Sequence, residues 1–485
     1  MAELHDLVIV ANRLPVRRVH RGGRPEWVLS PGGLVSALGP VLEGSRGIWV
    51  GWAGSAAEGA SPTRHGTLPL RAVPVSKSEL DDYYYGFCNR SLWPLYHDCV
   101  RAPEYRRSWW EPYRTVNRRY AEIASSVAAP GATVWVHDYH LQLVPGVLRK
   151  LRPDLRVGFF LHVPFPPREL FAQLPWRREI LEGLLAADVV GFQTRAVARN
   201  FASLARRYTD AKVRHRTLYH HGRRVRVGDF PVSIDVDRFE SLARSPQVRE
   251  RAAKLRRALG PSRKVILGVD RLDYTKGIDR RLEAFRDVLA RGHATPEDCV
   301  LVQVAVPSRE RVGTYAGLRE EVERLVGQIN GEFADVGRVA VHYLHRNLPP
   351  EELAALYIAA DVMLVTPFRD GMNLVAKEYV ASRLDDTGVL VLSEFTGAAQ
   401  EMRQALLVNP HDVDGVANTV VQALRMRPSD AAKRMRRLRA GVKAHDVHAW
   451  GREFLGAVRD AGPAPEGVGS GSSEETPEET RVSAS

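Results

Sequence analysis

The sequence predicts an α/β protein of two doubly wound domains of similar size, with an active site in the cleft between them. Its 485 residues exceed the usual length of a single domain, which is roughly 100–200 residues. Continuous apolar runs of strand length recur along the chain, as is typical of parallel strands covered on both faces. Amphipathic stretches separate these runs, so the pattern indicates a series of strand–helix units.

Ten apolar runs are predicted to be strands. In chain order they cover 7–10, 48–51, 134–137, 157–163, 189–193, 265–269, 300–306, 339–343, 362–366 and 389–393. Helices are predicted between them, most clearly over 278–290, 315–330 and 351–360.

The boundary between the two domains is predicted near residue 238. Residues 231–235 end a strand-rich segment, a charged helix follows, and Gly260-Pro261 precedes a new strand–helix series. We therefore predict an N-terminal domain over 1–238 and a C-terminal domain over 239–445. Residues 461–485, rich in Gly, Ser, Pro and Glu, are predicted to be a disordered acidic tail.

Composition and cysteine count exclude several classes of protein. A hydrophobic share of 44% and a charged share of 26% are ordinary for a globular protein and exclude wholesale disorder. No window approaches 18 uninterrupted apolar residues, and the N-terminus lacks a basic leader region, so we expect neither a membrane span nor export. Cys88, Cys99 and Cys299 form no close pair, which excludes a disulfide framework and a thiolate zinc site and favours a cytoplasmic location.

The net charge of +12 indicates an anionic partner or a compositional bias towards arginine. The tail carries five Glu and one Arg, so residues 1–460 carry +16. Arginine runs at 206–207, 214–216 and 223–226 leave nucleic acid as an alternative partner. These runs have few interleaved aromatics and fall on a predicted edge hairpin, so we favour a solvated basic face and expect neither a nucleic-acid nor a membrane partner.

Two segments of the N-terminal domain carry residues suited to phosphate or sugar. Arg13 follows the first strand, and Gly32-Gly33 opens a helix whose N–H groups suit phosphate unless the pair is an ordinary turn. Tyr84 and Trp93 lie in an aromatic stretch predicted to follow a strand. Such side chains stack on sugars or simply pack in a core, and the residues alone leave both alternatives open.

Asp138 directly follows the strand at 134–137, and a carboxylate at the carboxyl end of a strand is placed to accept hydrogen bonds from sugar hydroxyls. The neighbouring His137 and His140 lack the i, i+4 spacing of helical metal sites, so no metal centre is expected.

Two segments of the C-terminal domain describe a diphosphate site. Arg271 and Lys276 lie between a strand and a helix, so both can reach one pyrophosphate. A loop and a helix start follow the strand at 362–366, and the N–H groups at 372–374 are predicted to face phosphate. Glu378 lies roughly 7 Å further along that helix than Asn373, within reach of a ribose. Together the two segments predict a nucleotide-diphosphate site built without metal.

Six motifs then carry a resemblance to a known family, namely NRLPV, PGGL, WVHDYH, FFLHVPFP, GVDRLDYTKG and RDGMNLVAKEYV. The chain resembles the trehalose-6-phosphate synthases in these motifs, from about residue 5 to about residue 458. The resemblance implies two Rossmann-like domains of the GT-B architecture, with a helix at 446–460 crossing back onto the N-terminal domain. It also implies retaining transfer of glucose from UDP-glucose, or from GDP-glucose as in some relatives, to glucose 6-phosphate, giving α,α-trehalose 6-phosphate without a cofactor or metal.

The resemblance further implies a role for each matching residue. Acceptor binding is assigned to Arg13, Tyr84, Trp93, Asp138 and Arg309. The catalytic set is Arg271, Lys276, His162 and Asp370, of which the last two match residues that touch the transferred glucose. Donor binding is assigned to Gly32, Gly33, Arg271, Lys276, Leu348, Met372, Asn373, Leu374, Val375, Ala376, Lys377 and Glu378.

Leu348 departs from the family pattern, because some relatives place an aromatic side chain there beside the base. The donor base therefore stays open at this point. A glucosylglycerol-phosphate synthase and a non-glycosidic pseudo-glycosyltransferase of the same superfamily are the alternatives. The expected partners are small-molecule substrates, and a homo-oligomer is left open.

Overall fold

The computed structural model describes residues 3–21, 24–30, 33–42, 46–54, 62–214, 217–309 and 313–461. The predicted acidic tail lies outside these residues except for Ala461. The strands of the described part are β1 (His5–Arg13), β2 (Val16–Arg21), β3 (Arg24–Leu29), β4 (Gly47–Trp52), β5 (Arg64–His65), β6 (Leu68–Ala72), β7 (Ala128–His137), β8 (Arg156–Phe160), β9 (Val189–Phe192), β10 (Lys212–Arg214), β11 (Thr217–His220), β12 (Arg223–Asp229), β13 (Lys264–Arg271), β14 (Cys299–Val306), β15 (Val341–Leu344), β16 (Val362–Val365), β17 (Val389–Ser393) and β18 (Leu406–Val408).

The α-helices of the same part are α1 (Gly33–Leu42), α2 (Lys77–Glu79), α3 (Trp93–Tyr96), α4 (Arg107–Val127), α5 (Val144–Leu151), α6 (Arg168–Phe171), α7 (Arg177–Leu185), α8 (Arg195–Tyr208), α9 (Val236–Arg244), α10 (Pro246–Leu259), α11 (Ile278–Ala290), α12 (Gly313–Phe333), α13 (Pro350–Ala359), α14 (Leu374–Ser382), α15 (Val413–Leu424), α16 (Pro428–Ala444) and α17 (Val447–Ala461). A π-helix covers Leu80–Leu92, and short 3-10 helices cover Tyr139–Leu141, Tyr274–Lys276 and Gly397–Gln400.

Two large sheets organise the molecule. The first has the order β10-β11-β12-β9-β8-β7-β1-β4-β6-β5, and its seven central strands from β12 to β6 are parallel. The second has the order β15-β14-β13-β16-β17-β18 and is parallel throughout. Counted within its own domain, the second sheet has the Rossmann order 3-2-1-4-5-6. The predicted fold class of two doubly wound α/β domains is therefore confirmed.

The strand order reverses once in each sheet, and these two points locate the functional loops. In the first sheet the reversal lies between β1 and β7, and in the second it lies between β13 and β16. Adjacent crossovers leave on opposite faces there, so a crevice opens outside the carboxyl ends of the two strands.

Helix α17 packs on the first sheet although it follows the second sheet in sequence. The Phe454 ring stacks on Trp135 of β7 at a centroid distance of 4.7 Å. Gly191 of β9 makes room for it, because a Cβ atom there would lie 2.6 Å from the Phe454 ring. Residues 230–235, here called the linker, connect β12 of the first sheet to α9. Helix α9 begins at Val236 and packs against α13 and α14 of the second domain.

All ten predicted strands are present, with bounds shifted by a few residues. The prediction that the aromatic stretch at 83–94 follows a strand is wrong. That stretch lies in the π-helix and α3, whereas the preceding strand β6 ends at Ala72. The hairpin β2–β3 and the short strands β5, β6 and β18 were not predicted.

Candidate active site

The loops at the two strand-order reversals supply the polar residues of one cleft. Arg13 ends β1, Asp138 follows β7, Arg271 ends β13, and Asp370 follows β16. All four residues were predicted to belong to the site, and the topology explains why residues so far apart in sequence come together.

Three guanidinium groups surround the hydroxyl of Tyr84. Burial raises the pKa of this hydroxyl, but the charges of Arg13, Arg309 and Arg271 outweigh the burial and lower it overall. The Arg13 guanidinium lies 4.8 Å from the ring centroid of Trp52 and 5.4 Å from that of Tyr84. Neither Arg13 nor Arg271 forms an ion pair with a described carboxylate. This end of the cleft therefore holds positive charge that suits a phosphate.

Trp93 provides the surface on which two of these guanidinium groups rest. The Arg309 guanidinium lies 3.8 Å from the Trp93 ring centroid, and that of Arg271 lies 5.5 Å from it. The indole is 4% exposed, so the two cation–π contacts form at a largely desolvated site. Arg309 also donates from Nη2 to Tyr139 Oη at 3.3 Å, which joins the second domain to the first.

Asp273, which had no predicted role, holds Arg309 in place. Its Oδ2 accepts from Arg309 Nη1 at 2.8 Å and from Tyr315 Oη at 3.3 Å. Its Oδ1 accepts from the backbone and hydroxyl of Thr275, both at 3.0 Å. Burial raises the pKa of Asp273, but the charges of Arg309 and Arg271 bring it down to about 2. The carboxylate is therefore ionised although it is fully buried.

Asp138 lies at the carboxyl end of β7 with a backbone φ of +72°. This left-handed conformation is strained for a residue with a side chain. Its Oδ1 accepts from the backbone N–H of His162 at 3.2 Å. Burial raises the pKa of Asp138 to about 6, against the opposing effect of backbone hydrogen bonds from Tyr139, His162 and Val163.

His162 meets the second domain through its backbone and His137 through its ring. His162 Nε2 and His137 Nδ1 lie 3.1 Å apart, and burial lowers the pKa of His162 to about 3, so the ring is neutral. A Cβ atom on Gly371 would lie 1.9 Å from the carbonyl oxygen of His162. The loop after β16 can therefore approach this closely only because residue 371 is glycine.

Lys276 and Asp370 form an ion pair across the second reversal point, between Nζ and Oδ2 at 2.6 Å. Asn373 Nδ2 donates to the same oxygen at 3.1 Å. Burial raises the pKa of Asp370, but the charge and hydrogen bond of Lys276 lower it overall. An ammonium carries three N–H donors, so this ion pair leaves donors for an anionic ligand.

Helix α14 begins in this loop with its amide groups available. Asn373 has a φ of +82°, and its Oδ1 accepts from the backbone N–H of Ala376 at 3.1 Å as the helix N-cap. The N–H groups of Leu374 and Val375 lie in the first turn, where no carbonyl of the helix can accept from them. They therefore remain available to a ligand. The positive end of the helix dipole adds to this preference for an anion.

Two side chains of α14 have definite partners. Lys377 Nζ donates to the carbonyl oxygen of Val232 at 2.9 Å and pairs with Glu401 at 2.6 Å. Its side chain is thus turned to the linker between the domains, and only its backbone remains for the predicted donor contact. Glu378 accepts from Tyr357 Oη at 2.8 Å, and burial raises its pKa.

The remaining predicted donor residues are less informative. Gly32 lies outside the described residues, and Gly33 is the first residue of α1. Met372 is 3% exposed, and Leu348 is half-buried in the loop between β15 and α13. Their contact with a donor stays a prediction.

Several residues that line the cleft had no predicted role. They are Trp52, His97, Tyr139, His140, Asp273 and Tyr315. Tyr139, His140 and Asp273 lie inside the motifs WVHDYH and GVDRLDYTKG. Their nearness in sequence to Asp138 and Arg271 could have indicated that they belong to the site. Within the described ranges, no group of three or more His, Cys, Asp or Glu residues is arranged to hold a metal ion. None of the described helices has the length and apolar character that crossing a membrane requires.

Two Rossmann-type sheets with one cation-lined cleft at their strand-order reversals have the architecture of the GT-B class of glycosyltransferases. The model of glycosyltransferase family 20 matches residues 5–460. A curated relative, the trehalose-6-phosphate synthase of Mycobacterium avium (strain 104), is 56% identical over 472 residues, which cover 94% of this chain and 96% of the relative. The chain therefore belongs to glycosyltransferase family 20 and is a glycosyltransferase.

Solved structures show the same fold. A UDP-forming α,α-trehalose-phosphate synthase from Burkholderia xenovorans in complex with glucose-6-phosphate matches with a TM-score of 0.86 and 34% identity, covering 93% of this chain and 99% of that one. An Escherichia coli protein described as trehalose-6-phosphate bound with UDP-2-fluoro glucose matches with a TM-score of 0.85 and 32% identity, covering 93% and 98%.

Proposed function

We propose that this protein transfers glucose from UDP-glucose to glucose 6-phosphate and releases α,α-trehalose 6-phosphate and UDP. The observation that carries the proposal is a pair of anion sites in one cleft. One consists of the Arg13 and Arg309 guanidinium groups beside the Tyr84 hydroxyl. The other consists of Arg271, Lys276 and the first turn of α14. A sugar monophosphate and a nucleotide diphosphate are the two anions that such a pair fits.

The acceptor phosphate binds to Arg13, Arg309 and Tyr84. Arg309 is fixed by Asp273 and by the Trp93 ring, so it loses little freedom when the phosphate arrives. The glucose ring then extends towards Asp138, whose carboxylate accepts from a sugar hydroxyl. Glucose-6-phosphate is the ligand of the related B. xenovorans structure, which supports this choice of acceptor.

The donor diphosphate binds to Lys276, Arg271 and the N–H groups at the start of α14. Glu378 accepts from the ribose hydroxyls, and Leu348 lies towards the base. UDP is proposed as the nucleotide because the B. xenovorans relative is UDP-forming and the E. coli structure holds a UDP-sugar analogue.

Catalysis proceeds by stabilisation of the leaving diphosphate. As the bond from the glucose anomeric carbon to the diphosphate breaks, Arg271, Lys276 and the dipole of α14 hold the growing negative charge. The acceptor hydroxyl attacks from the face that the diphosphate leaves, and a phosphate oxygen takes its proton. His162 and Asp370 lie against the transferred glucose, and the configuration of the anomeric carbon is retained.

No metal or cofactor takes part in this proposal, because the cationic groups already match the diphosphate charge. We also propose a cytoplasmic location and small-molecule substrates as the only ligands of the cleft, with oligomeric state left to measurement. Initial rates in excess EDTA test the first point, and a rate that falls on chelation and recovers with Mg²⁺ would contradict it.

Initial rates with UDP-, GDP- and ADP-glucose, each paired with glucose 6-phosphate or glycerol 3-phosphate, test the substrates. We expect UDP release to be fastest with UDP-glucose and glucose 6-phosphate. Faster transfer to glycerol 3-phosphate would favour the glucosylglycerol-phosphate alternative instead.

The variant Arg13→Ala tests the acceptor site separately. Because Arg13 contacts only the acceptor phosphate in this proposal, we expect the KM for glucose 6-phosphate to rise at least about tenfold. The KM for UDP-glucose should change little. A variant that saturates normally with glucose 6-phosphate would contradict the assignment of Arg13.

A further inference from the structure

The strands β10, β11 and β12 carry a row of exposed cations on one face of the first sheet. Registers pair Lys212 with Tyr219 and Tyr219 with Arg224. The next row on the same face pairs Arg214 with Thr217 and Thr217 with Arg226. We call the surface formed by Lys212, Arg214, Tyr219, Arg224 and Arg226 the basic face. All five side chains are exposed.

The opposite face of these strands is covered by the protein, so only the basic face of the three strands is open to solvent. Leu218 and Val225 are buried there, on the side of the sheet that α8 covers. Helix α17 lies on the side of the basic face but covers only its inner end, where Gly228 pairs with Gly191 beneath the aromatic rings. The helix ends at Ala461, whose carbonyl oxygen accepts from Arg224 Nη2 at 3.4 Å.

The cations of the basic face lack the acidic partners that other arginines of this domain have. Arg223, on the covered side of β12, pairs with the buried carboxylate of Asp188. In contrast, no described carboxylate forms an ion pair with Lys212, Arg214, Arg224 or Arg226. Arg214 instead lies over the Tyr219 ring at 5.9 Å.

The chain that continues from Ala461 has the complementary charge. Residues 462–485 contain Glu466, Glu474, Glu475, Glu478 and Glu479 against a single Arg481. Five residues reach from Ala461 to Glu466, a span of at most roughly 17 Å, and thirteen reach to Glu474, at most roughly 45 Å. The basic face is two strand spacings wide, about 10 Å, so every one of these carboxylates can reach it.

We propose that the acidic segment 466–479 of the same chain docks on the basic face and competes there with other polyanions. Each exposed ion pair is weak by itself. However, the segment is attached beside the face, so its effective concentration there is on the order of millimolar, and several weak pairs act together. Of the arginine runs that made nucleic acid an alternative partner, the one at 206–207 lies on α8 and not on the predicted hairpin. The proposed occupant covers the arginines of the hairpin that belong to the basic face.

Zero-length carbodiimide cross-linking of the full chain tests the docking, because Lys212 supplies an amine within the basic face. We expect an intramolecular cross-link between Lys212 and a glutamate of the segment, identified by mass spectrometry. The double variant Arg224→Ser/Arg226→Ser should lose at least half of this cross-link. The matched control Arg206→Ser/Arg207→Ser, which removes exposed charges from α8 on the other side of the sheet, should keep it.

Binding of a labelled 20-bp DNA duplex tests whether the acidic segment competes with a polyanion for the basic face. Against the wild type, a full-length variant with the five tail glutamates changed to Gln should bind at least about tenfold more tightly in 50 mM salt. If the four cations contact phosphates, its affinity should fall roughly 10²-fold by 200 mM salt. Equal binding of DNA by the two proteins, an absent Lys212 cross-link, or a cross-link found only between two chains would each overturn the proposal.

Discussion

The buried carboxylate of Asp273 holds the guanidinium group of Arg309 in the cleft. Asp273 binds Arg309, and Arg309 reaches over Trp93 to Tyr139 of the other domain. The motif GVDRLDYTKG showed Asp273 but not its partner, because Arg309 lies 36 residues further along the chain. Sequence could therefore predict which side chains carry charge towards a ligand, but not which residues hold those side chains in position.

The variant Asp273→Asn tests this positioning role. Because the amide loses the ionic contact with Arg309, we expect the KM for glucose 6-phosphate to rise at least about tenfold, with kcat/KM for this substrate falling roughly 10²-fold. The KM for UDP-glucose should stay within about twofold of the wild type. Steady-state kinetics with each substrate varied in turn provides the measurement.

A matched control is Asp287→Asn, which removes an exposed ion pair with Arg291 on α11. It should leave both KM values unchanged. If Asp273→Asn lowered only the fraction of active enzyme and left both KM values intact, Asp273 would be structural and the positioning role would be wrong.

Asp138 gives a prediction about pH and stability. Its pKa is about 6 in the folded state against an ordinary value of 3.8, so the folded state holds this proton more tightly than the unfolded state. Stability from this group is present below pH 4 and is lost as the pH rises through 6. The variant Asp138→Asn keeps the shape of the side chain and cannot ionise, so it avoids this loss.

Denaturant unfolding without substrates checks this from pH 4.5 to pH 8. The unfolding free energy of Asp138→Asn relative to wild type should increase by about 2 kcal/mol over the range. A difference that stays constant with pH, or that moves in favour of the wild type as the pH rises, would contradict a raised pKa at Asp138.

The loop after β16 determines how closely the two domains approach at the site. Gly371 lies under the His162 carbonyl, and the residues beside it form the Lys276–Asp370 ion pair and the start of α14. This loop therefore belongs to the proposed donor site and to the domain interface at the same time.

The variant Gly371→Ala should separate these surfaces. A Cβ atom 1.9 Å from the His162 oxygen cannot be accommodated without movement of the backbone, so we expect kcat/KM to fall at least about 10²-fold for both substrates. Gly327→Ala in α12 is the control, since nothing lies within 4 Å of its Cβ position. That control should keep full activity and unfold at an equal or slightly higher temperature. Near wild-type kcat/KM in Gly371→Ala would contradict the account of this contact.

The elements differ in how well sequence predicts them, and the reason is periodicity. Continuous apolar runs such as β4 and β17, buried at every residue, predicted the central parallel strands. The π-helix at Leu80–Leu92 mixes aromatic, acidic and small residues with neither a strand nor a helix period, so its type was missed. Short edge strands such as β5 and β18 carry too few residues for a pattern.

At the scale of the whole molecule, the two large sheets each contribute residues to one cleft. The proposed acceptor phosphate site takes Arg13 and Tyr84 from one domain and Arg309 from the other, so it is complete only when the domains are together. The Lys377 side chain of the second domain donates to the carbonyl oxygen of Val232 and so holds the linker against α14. The cleft cations account for little of the net charge of +12. The four cations of the basic face contribute to it as well, whereas the surface ion pairs add no net charge.

Identification of the product tests the central claim most directly. The purified full chain is incubated with UDP-glucose and glucose 6-phosphate, and the product is examined by NMR while released UDP is quantified. The account predicts one UDP per disaccharide and a non-reducing 1,1-linked glucose disaccharide phosphate with both anomeric centres α. A β-configured or reducing product, or UDP release without a disaccharide phosphate, would contradict it.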